Sequence, residues 1–153
     1  MNTLENLISE LEQHSVVYQK INTTVSHASV GWHIEHSLMV ISAIVGALEK
    51  SNPTEYKWKF NKWRVIVMGL KVIPRGRGKA PKNVIPEGEI TLETLKQTFE
   101  KTRQTIQTIE SLQSNNYFKH PYFGDLNLKP TTRFLALHTK HHLKIIKDII
   151  KTL

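Results

Sequence analysis

Cysteine is absent from this 153-residue chain. That absence excludes a disulfide framework, a thiolate zinc site and a cysteine nucleophile. Any metal must then be held by histidine and carboxylate. No membrane span is expected: the apolar run around residues 65–73 is too short and too charged to cross a bilayer. The N-terminus is polar and acidic instead of basic and then apolar, so no signal peptide is expected and a soluble, cytoplasmic protein is. No strand-like alternation of any length and no internal repeat competes with helical periodicity. The length suits a single domain, residues 1–153, with its own core.

Acidic residues are missing from one stretch in particular. The formal net charge is +8, and between Lys57 and Lys82 there are nine Lys or Arg and no Asp or Glu. The remainder of the chain is close to neutral. Such a local excess suits nucleic acid, an anionic lipid or an acidic partner, and equally suits a solvated loop. Within it, Trp58, Phe60 and Trp63 interleave with Lys57, Lys59, Lys62 and Arg64, a composition like that of a stacking-plus-phosphate surface. Aromatics at this density more commonly pack over one end of a core. The glycines of 74–90 match no phosphate loop, because no Gly-Lys-Ser/Thr follows at the needed spacing.

Where the chain is rich is in histidine on helical faces. On a wheel of about 100° per residue, Leu135, His138, His142, Ile145, Ile146, Ile149 and Leu153 fall within an arc of about 100°. Arg133, Lys140, Lys144, Lys147 and Lys151 lie opposite. His138 and His142 therefore stand where a packed helix would carry Leu or Val. Imidazoles spaced i, i+4 stack on one face and can share a metal ion; the competing reading is a pair of core histidines satisfied by hydrogen bonds. His141 lies about 100° round from His142, at the flank of the stripe.

The rest of the chain supplies the setting. Residues 3–21 read as a helix with Leu4, Leu7, Ile8, Leu11 and Tyr18 inward, a cap at Asn2 or Thr3, and His14 on the same stripe as a hydrogen-bonded core residue. Residues 22–29 are a turn. Residues 30–50 form a helix apolar on two faces, one carrying Trp32, His36, Met39, Val40 and Ala43, so it belongs in the middle of a bundle. His36 is the candidate third ligand. His33, about 60° away on the wheel, is either its outer neighbour or exposed. Pro53 closes this region. Residues 56–73 suggest a short helix, alone or followed by an extended piece, and 74–90 an irregular crossover. Residues 91–113 form a third long helix capped by Thr91, and 114–130 a shaped loop.

Trp32 and His36 on a buried second helix, the loop His120-Pro121-Tyr122-Phe123-Gly124, and the final-helix stretch 133–146 together resemble the DinB-like (YfiT-type) metal-binding family. The resemblance extends from about Val30 to Ile150. It implies an all-α four-helix bundle of up-down-down-up topology, with a long crossover between the second and third long helices. Carried over residue by residue, it implies a divalent ion on His36, His138 and His142. It also implies metal-dependent transferases that use low-molecular-weight thiols, and related hydrolase- or isomerase-like activities on small molecules. A homodimer is expected from the apolar surplus and from the resemblance.

Three imidazoles leave open positions on a divalent ion, as catalytic sites do, and Zn²⁺, Ni²⁺ and Fe²⁺ all accept that ligand type. Glu35 points about 100° from His36 and is at most an outer group. Asp125 is a candidate partner for a ligand imidazole, and His120 a candidate neighbour of the site. Two other functions compete: a basic surface for nucleic acid or another anionic partner without catalysis, and a helical scaffold whose histidines are structural.

Overall fold

A computed structural model describes residues 2–75 and 80–151. Leu153 of the last helical stripe, and Arg77 and Lys79 of the basic stretch, lie outside the described residues. The order is α1 (Asn2–Gln13), a 3-10 turn at Ser15–Val17, α2 (Val30–Lys50), a 3-10 turn at Pro53–Glu55, α3 (Lys62–Leu70) and a 3-10 turn at Lys82–Val84. Then follow α4 (Leu92–Gln107) with a 3-10 extension at Thr108–Ser111, β1 (Tyr117–His120), β2 (Gly124–Asn127) and α5 (Leu128–Lys151). The fold is mostly helical, with one small antiparallel sheet.

The two apolar stripes of α2 are used by two different neighbours, since α2 packs on both α4 and α5. Ile34, Leu38, Ile41, Val45 and Leu48 are fully buried along it, each contributing about 1.5–3 kcal/mol of burial. Ser29 caps its start by accepting a hydrogen bond from the Trp32 backbone N–H at 3.1 Å. Helix α4 begins at the expected cap: the Thr91 hydroxyl accepts from the Thr94 N–H, and the Thr94 hydroxyl accepts from the Thr91 N–H. Helix α1 lies against α5 and α4. Arg103 on α4 donates to Glu5 at 3.1 Å and to Glu12 at 2.6 Å, tying α4 to α1.

Several boundaries differ from expectation. Helix α1 stops at Gln13 instead of residue 21, and it already contains Asn2 and Thr3, the residues expected to cap it. Beyond Gln13, the Ser15 hydroxyl donates to the Glu12 carbonyl and the chain tightens into the 3-10 turn. It must tighten there, because the Tyr18 carbonyl turns back to accept from the Gly31 N–H at 2.7 Å. Gly31 permits this approach: a Cβ there would stand 3.1 Å from the Tyr18 oxygen and from a methyl of Ile90. Helix α5 begins at Leu128, six residues before the start of its amphipathic run. Pro130 falls in its first turn, where a missing N–H leaves no bond unmade.

The expectation of no strands is corrected. Residues 117–127 form a hairpin pairing Tyr117 with Asn127, Phe118 with Leu126, Lys119 with Asp125 and His120 with Gly124. Its strands are four residues each, too short to show alternation. Its turn is built by a side chain: Nδ1 of His120 accepts from the N–H groups of Tyr122 and Phe123 at 3.1 and 3.2 Å. Gly124 follows at φ +69°, a conformation glycine adopts without strain.

Helix α3 sits inside the crossover between α2 and α4. Asn61 caps it, accepting from the Arg64 N–H at 2.9 Å. Arg64 donates to the Asp125 carbonyl and Asn61 to the Tyr122 carbonyl, so α3 is pinned to the hairpin. The aromatics in and just before it do not pack over the core. Trp58, Phe60 and Trp63 are 66%, 71% and 57% exposed.

Candidate metal centre

His36 comes from the middle of α2, His138 and His142 from successive turns of α5, and these two helices pack directly on each other. Each of the three residues offers a ring nitrogen, and those atoms all lie within 4.8 Å of one another. The i, i+4 spacing on α5 sets the His138 and His142 rings 4.6 Å apart between centroids; the His36 ring is 5.3 Å from one and 4.8 Å from the other.

Which nitrogens remain for a ligand follows from the hydrogen bonds. His36 uses Nδ1 to donate to the Val84 carbonyl at 2.7 Å, which leaves Nε2. Nδ1 of His142 lies 3.0 Å from Nδ1 of His33, which likewise leaves Nε2. His33 continues outward, its Nε2 standing 3.0 Å from the Ser26 hydroxyl, and that oxygen also accepts from the Ala28 N–H. Nδ1 of His138 is buried with no hydrogen-bond partner. A buried imidazole nitrogen without a partner is costly in a core, and a ligand that reached it would relieve that cost. The donor set and this orphaned atom both fit a divalent ion.

Burial keeps these rings neutral, as metal ligation requires. Desolvation pushes His138 down to about 3, with His36 and His141 adding to the shift. His142 is driven down strongly by burial and then by the charges that His138, His36 and His33 would carry. His33 falls to about 4, chiefly through burial. His36 is lowered by burial against the opposing effect of its bond to Val84.

The remaining walls are aromatic. Trp32 stacks on His36 with centroids 4.9 Å apart and planes 13° from parallel, and it meets His33 edge-on. On the other side, Phe134 lies 5.9 Å from His138. His120 stacks on Phe123 at 4.1 Å and stands edge-on to Phe134 at 4.7 Å. His120 is thus one ring removed from His138, holding an aromatic wall and a turn. Burial lowers its pKa to about 4.

The other candidates resolve individually. His33 is a buried partner of a candidate ligand and is not exposed. His141 stays at the flank, edge-on to His142 at 5.2 Å, and burial lowers its pKa. Glu35 turns to α4, where Thr98 donates to it at 3.4 Å; its other oxygen is buried and unpartnered, and burial raises its pKa. Asp125 does not hold an imidazole. Strand pairing sets it opposite Lys119, and it lines a cavity of about 490 Å³ with Lys57, Lys59 and Lys119. His14 is half-buried at the end of α1, away from the three rings, with a pKa lowered by burial and by Lys147. The Val84 carbonyl and the Ser26 hydroxyl were not foreseen. A backbone carbonyl leaves no side-chain signal, and Ser26 sits in a segment that reads only as a turn.

A family model described as the DinB superfamily matches residues 4–146. Neither a curated protein nor a solved structure matches the chain.

Proposed function

The chain belongs to the DinB superfamily, and we propose that it holds a divalent ion (zinc, nickel or iron) on His36, His138 and His142 within a YfiT-type up-down-down-up bundle. On this reading the protein is a metal-dependent transferase that joins a low-molecular-weight thiol to a small electrophile, with hydrolysis of a small molecule as the related alternative. The observation that carries the reading is the convergence of three imidazole nitrogens, one each from His36, His138 and His142, within 4.8 Å of one another.

A divalent ion held by His36, His138 and His142 as neutral imidazoles would supply a Lewis acid suited to an anionic nucleophile such as a thiolate. The chain's own residues do the rest. The Val84 carbonyl fixes the His36 tautomer with Nδ1 protonated. His33 orients the His142 ring and takes its Nδ1 proton in a hydrogen bond. Trp32 covers one face of His36 and keeps water from it. Phe134, Phe123 and His120 give an apolar wall beside His138 against which the organic part of a substrate can rest. Glu35 is turned away from this chemistry, so the proton of an incoming thiol passes to solvent or to the leaving group.

Elemental analysis after reconstitution with zinc, nickel and iron tests the metal. About one ion per chain is expected for the wild type, and well under that for His138→Ala. Absence of stoichiometric metal under all three reconstitutions removes the enzyme reading. Loss of free thiol in the presence of electrophiles, by the metal-loaded protein alone, then separates the transferase from the hydrolase.

A further inference from the structure

Helix α3 presents apolar residues outward as well as inward. On an ordinary surface helix the outward face is polar and the inward face apolar. Here the residues that turn partly inward are Arg64, Val67 and Met68, and Arg64 spends its guanidinium on the carbonyls of Lys59 and Asp125. The outward stripe, spaced i, i+3, i+7 within an arc of about 60°, is Trp63, Ile66 and Leu70. Leu70 is 70% exposed, and Trp58, Phe60 and Val72 extend the apolar surface along the chain on either side. The pins from Asn61 and Arg64 to the hairpin hold this face outward.

The charge around that stripe selects its occupant. From Tyr56 to Arg75 the chain has no acidic residue, and Lys57, Lys59, Lys62 and Lys71 are exposed among the aromatics and aliphatics. Glu55 and Asp125 line a cavity already shared by Lys57, Lys59 and Lys119, and Asp148 of α5 is paired with Arg75 at the far end of the segment. A second copy meeting this face through itself would bring like charges together. Nucleic acid would use the lysines and the aromatic rings but offers nothing to Ile66, Leu70 and Val72. An anionic bilayer surface satisfies all of them: headgroup phosphates for the lysines, the interfacial zone for Trp58 and Trp63, and acyl chains for the aliphatics.

We propose that residues 57–75 form a peripheral docking surface for anionic phospholipid membranes, with α3 lying in the interface plane. The surface belongs to the crossover and does not depend on the metal reading.

The test is co-sedimentation of the full chain with phosphatidylcholine vesicles, with and without phosphatidylglycerol, while following tryptophan emission. Binding to the anionic vesicles with a blue shift is expected, weakening as salt rises. Neutralising Lys57, Lys59, Lys62 and Lys71 to Gln should lower the affinity by about tenfold or more. Trp63→Ala with Leu70→Ala should weaken binding to the anionic vesicles and reduce the blue shift to what Trp58 contributes, while circular dichroism stays at wild-type level because both side chains are exposed. Equal affinity for the two vesicle types, or no sedimentation at low salt, overturns the proposal. So does a dimer in sedimentation equilibrium that the Trp63/Leu70 variant dissociates, or tighter binding to DNA than to the anionic vesicles.

Discussion

Nδ1 of His33 and Nδ1 of His142 face each other at 3.0 Å across the contact between α2 and α5. Two rings that meet through the same atom cannot share a tautomer. When His142 carries the Nδ1 proton, His33 accepts it, donates from Nε2 to Ser26, and leaves the His142 Nε2 lone pair free. When His33 carries it, the His142 proton moves to Nε2 and blocks that position. A metal ion on Nε2 would select the first arrangement.

Removing the orienting ring should therefore weaken metal binding without removing a ligand. His33→Ala is expected to lower affinity by about 10–100-fold, while stoichiometry at saturating metal stays the same. Competitive chelator titration reads both quantities. An affinity equal to wild type would mean that His142 is oriented by packing alone.

Acid should unfold the apo protein through its buried histidines. His120 is held from 6.5 down to about 4, so the unfolded chain binds a proton that the folded chain refuses. Stability is then full above about pH 6.5 and falls as pH drops towards 4, with His33 titrating over the same window. Protonating His120 also takes its Nδ1 away from the Tyr122 and Phe123 N–H groups. Urea denaturation across this range should show the decline, and His120→Phe should make it shallower.

Gly31→Ala tests the joint that leads into α2. The new methyl meets a backbone oxygen at 3.1 Å, which cannot swing aside as a side-chain end can. A loss of about 1–3 kcal/mol is expected in chemical denaturation. No loss would mean that the Tyr18 turn is softer than its 2.7 Å hydrogen bond suggests.

Arg103→Met addresses the tie between α1 and α4. Arg103 is 27% exposed and its partners Glu5 and Glu12 are 43% and 45% exposed, so solvent screens both pairs. The expected cost is about 1 kcal/mol, falling with added salt. Equilibrium unfolding at low and high salt measures it.

Much of this architecture is legible in the sequence because it rests on periodicity. Helix α2 is bounded at Val30 and Lys50 by its apolar run and by the turn at 22–29 before it, and the α5 stripe places His138 and His142 together. The wheel also put Glu35 and His141 off the centre. What periodicity cannot carry is contact across long loops. Val84 reaches His36 from 48 residues away through a carbonyl. The hairpin depends on a histidine side chain acting as a turn acceptor. The exposure of Trp58, Phe60 and Trp63 ran against expectation, because burial is decided by what lies opposite a face and not by the face itself.

The His33–His142 contact spans 109 residues of sequence. During synthesis the histidines of α2 therefore emerge long before their counterparts on α5, and no high-affinity seat exists until the last helix has docked. Contacts this distant in sequence form late and slowly. An ion held between these two helices would act as a latch between an early and a late part of the chain, and would slow unfolding far more than it speeds folding.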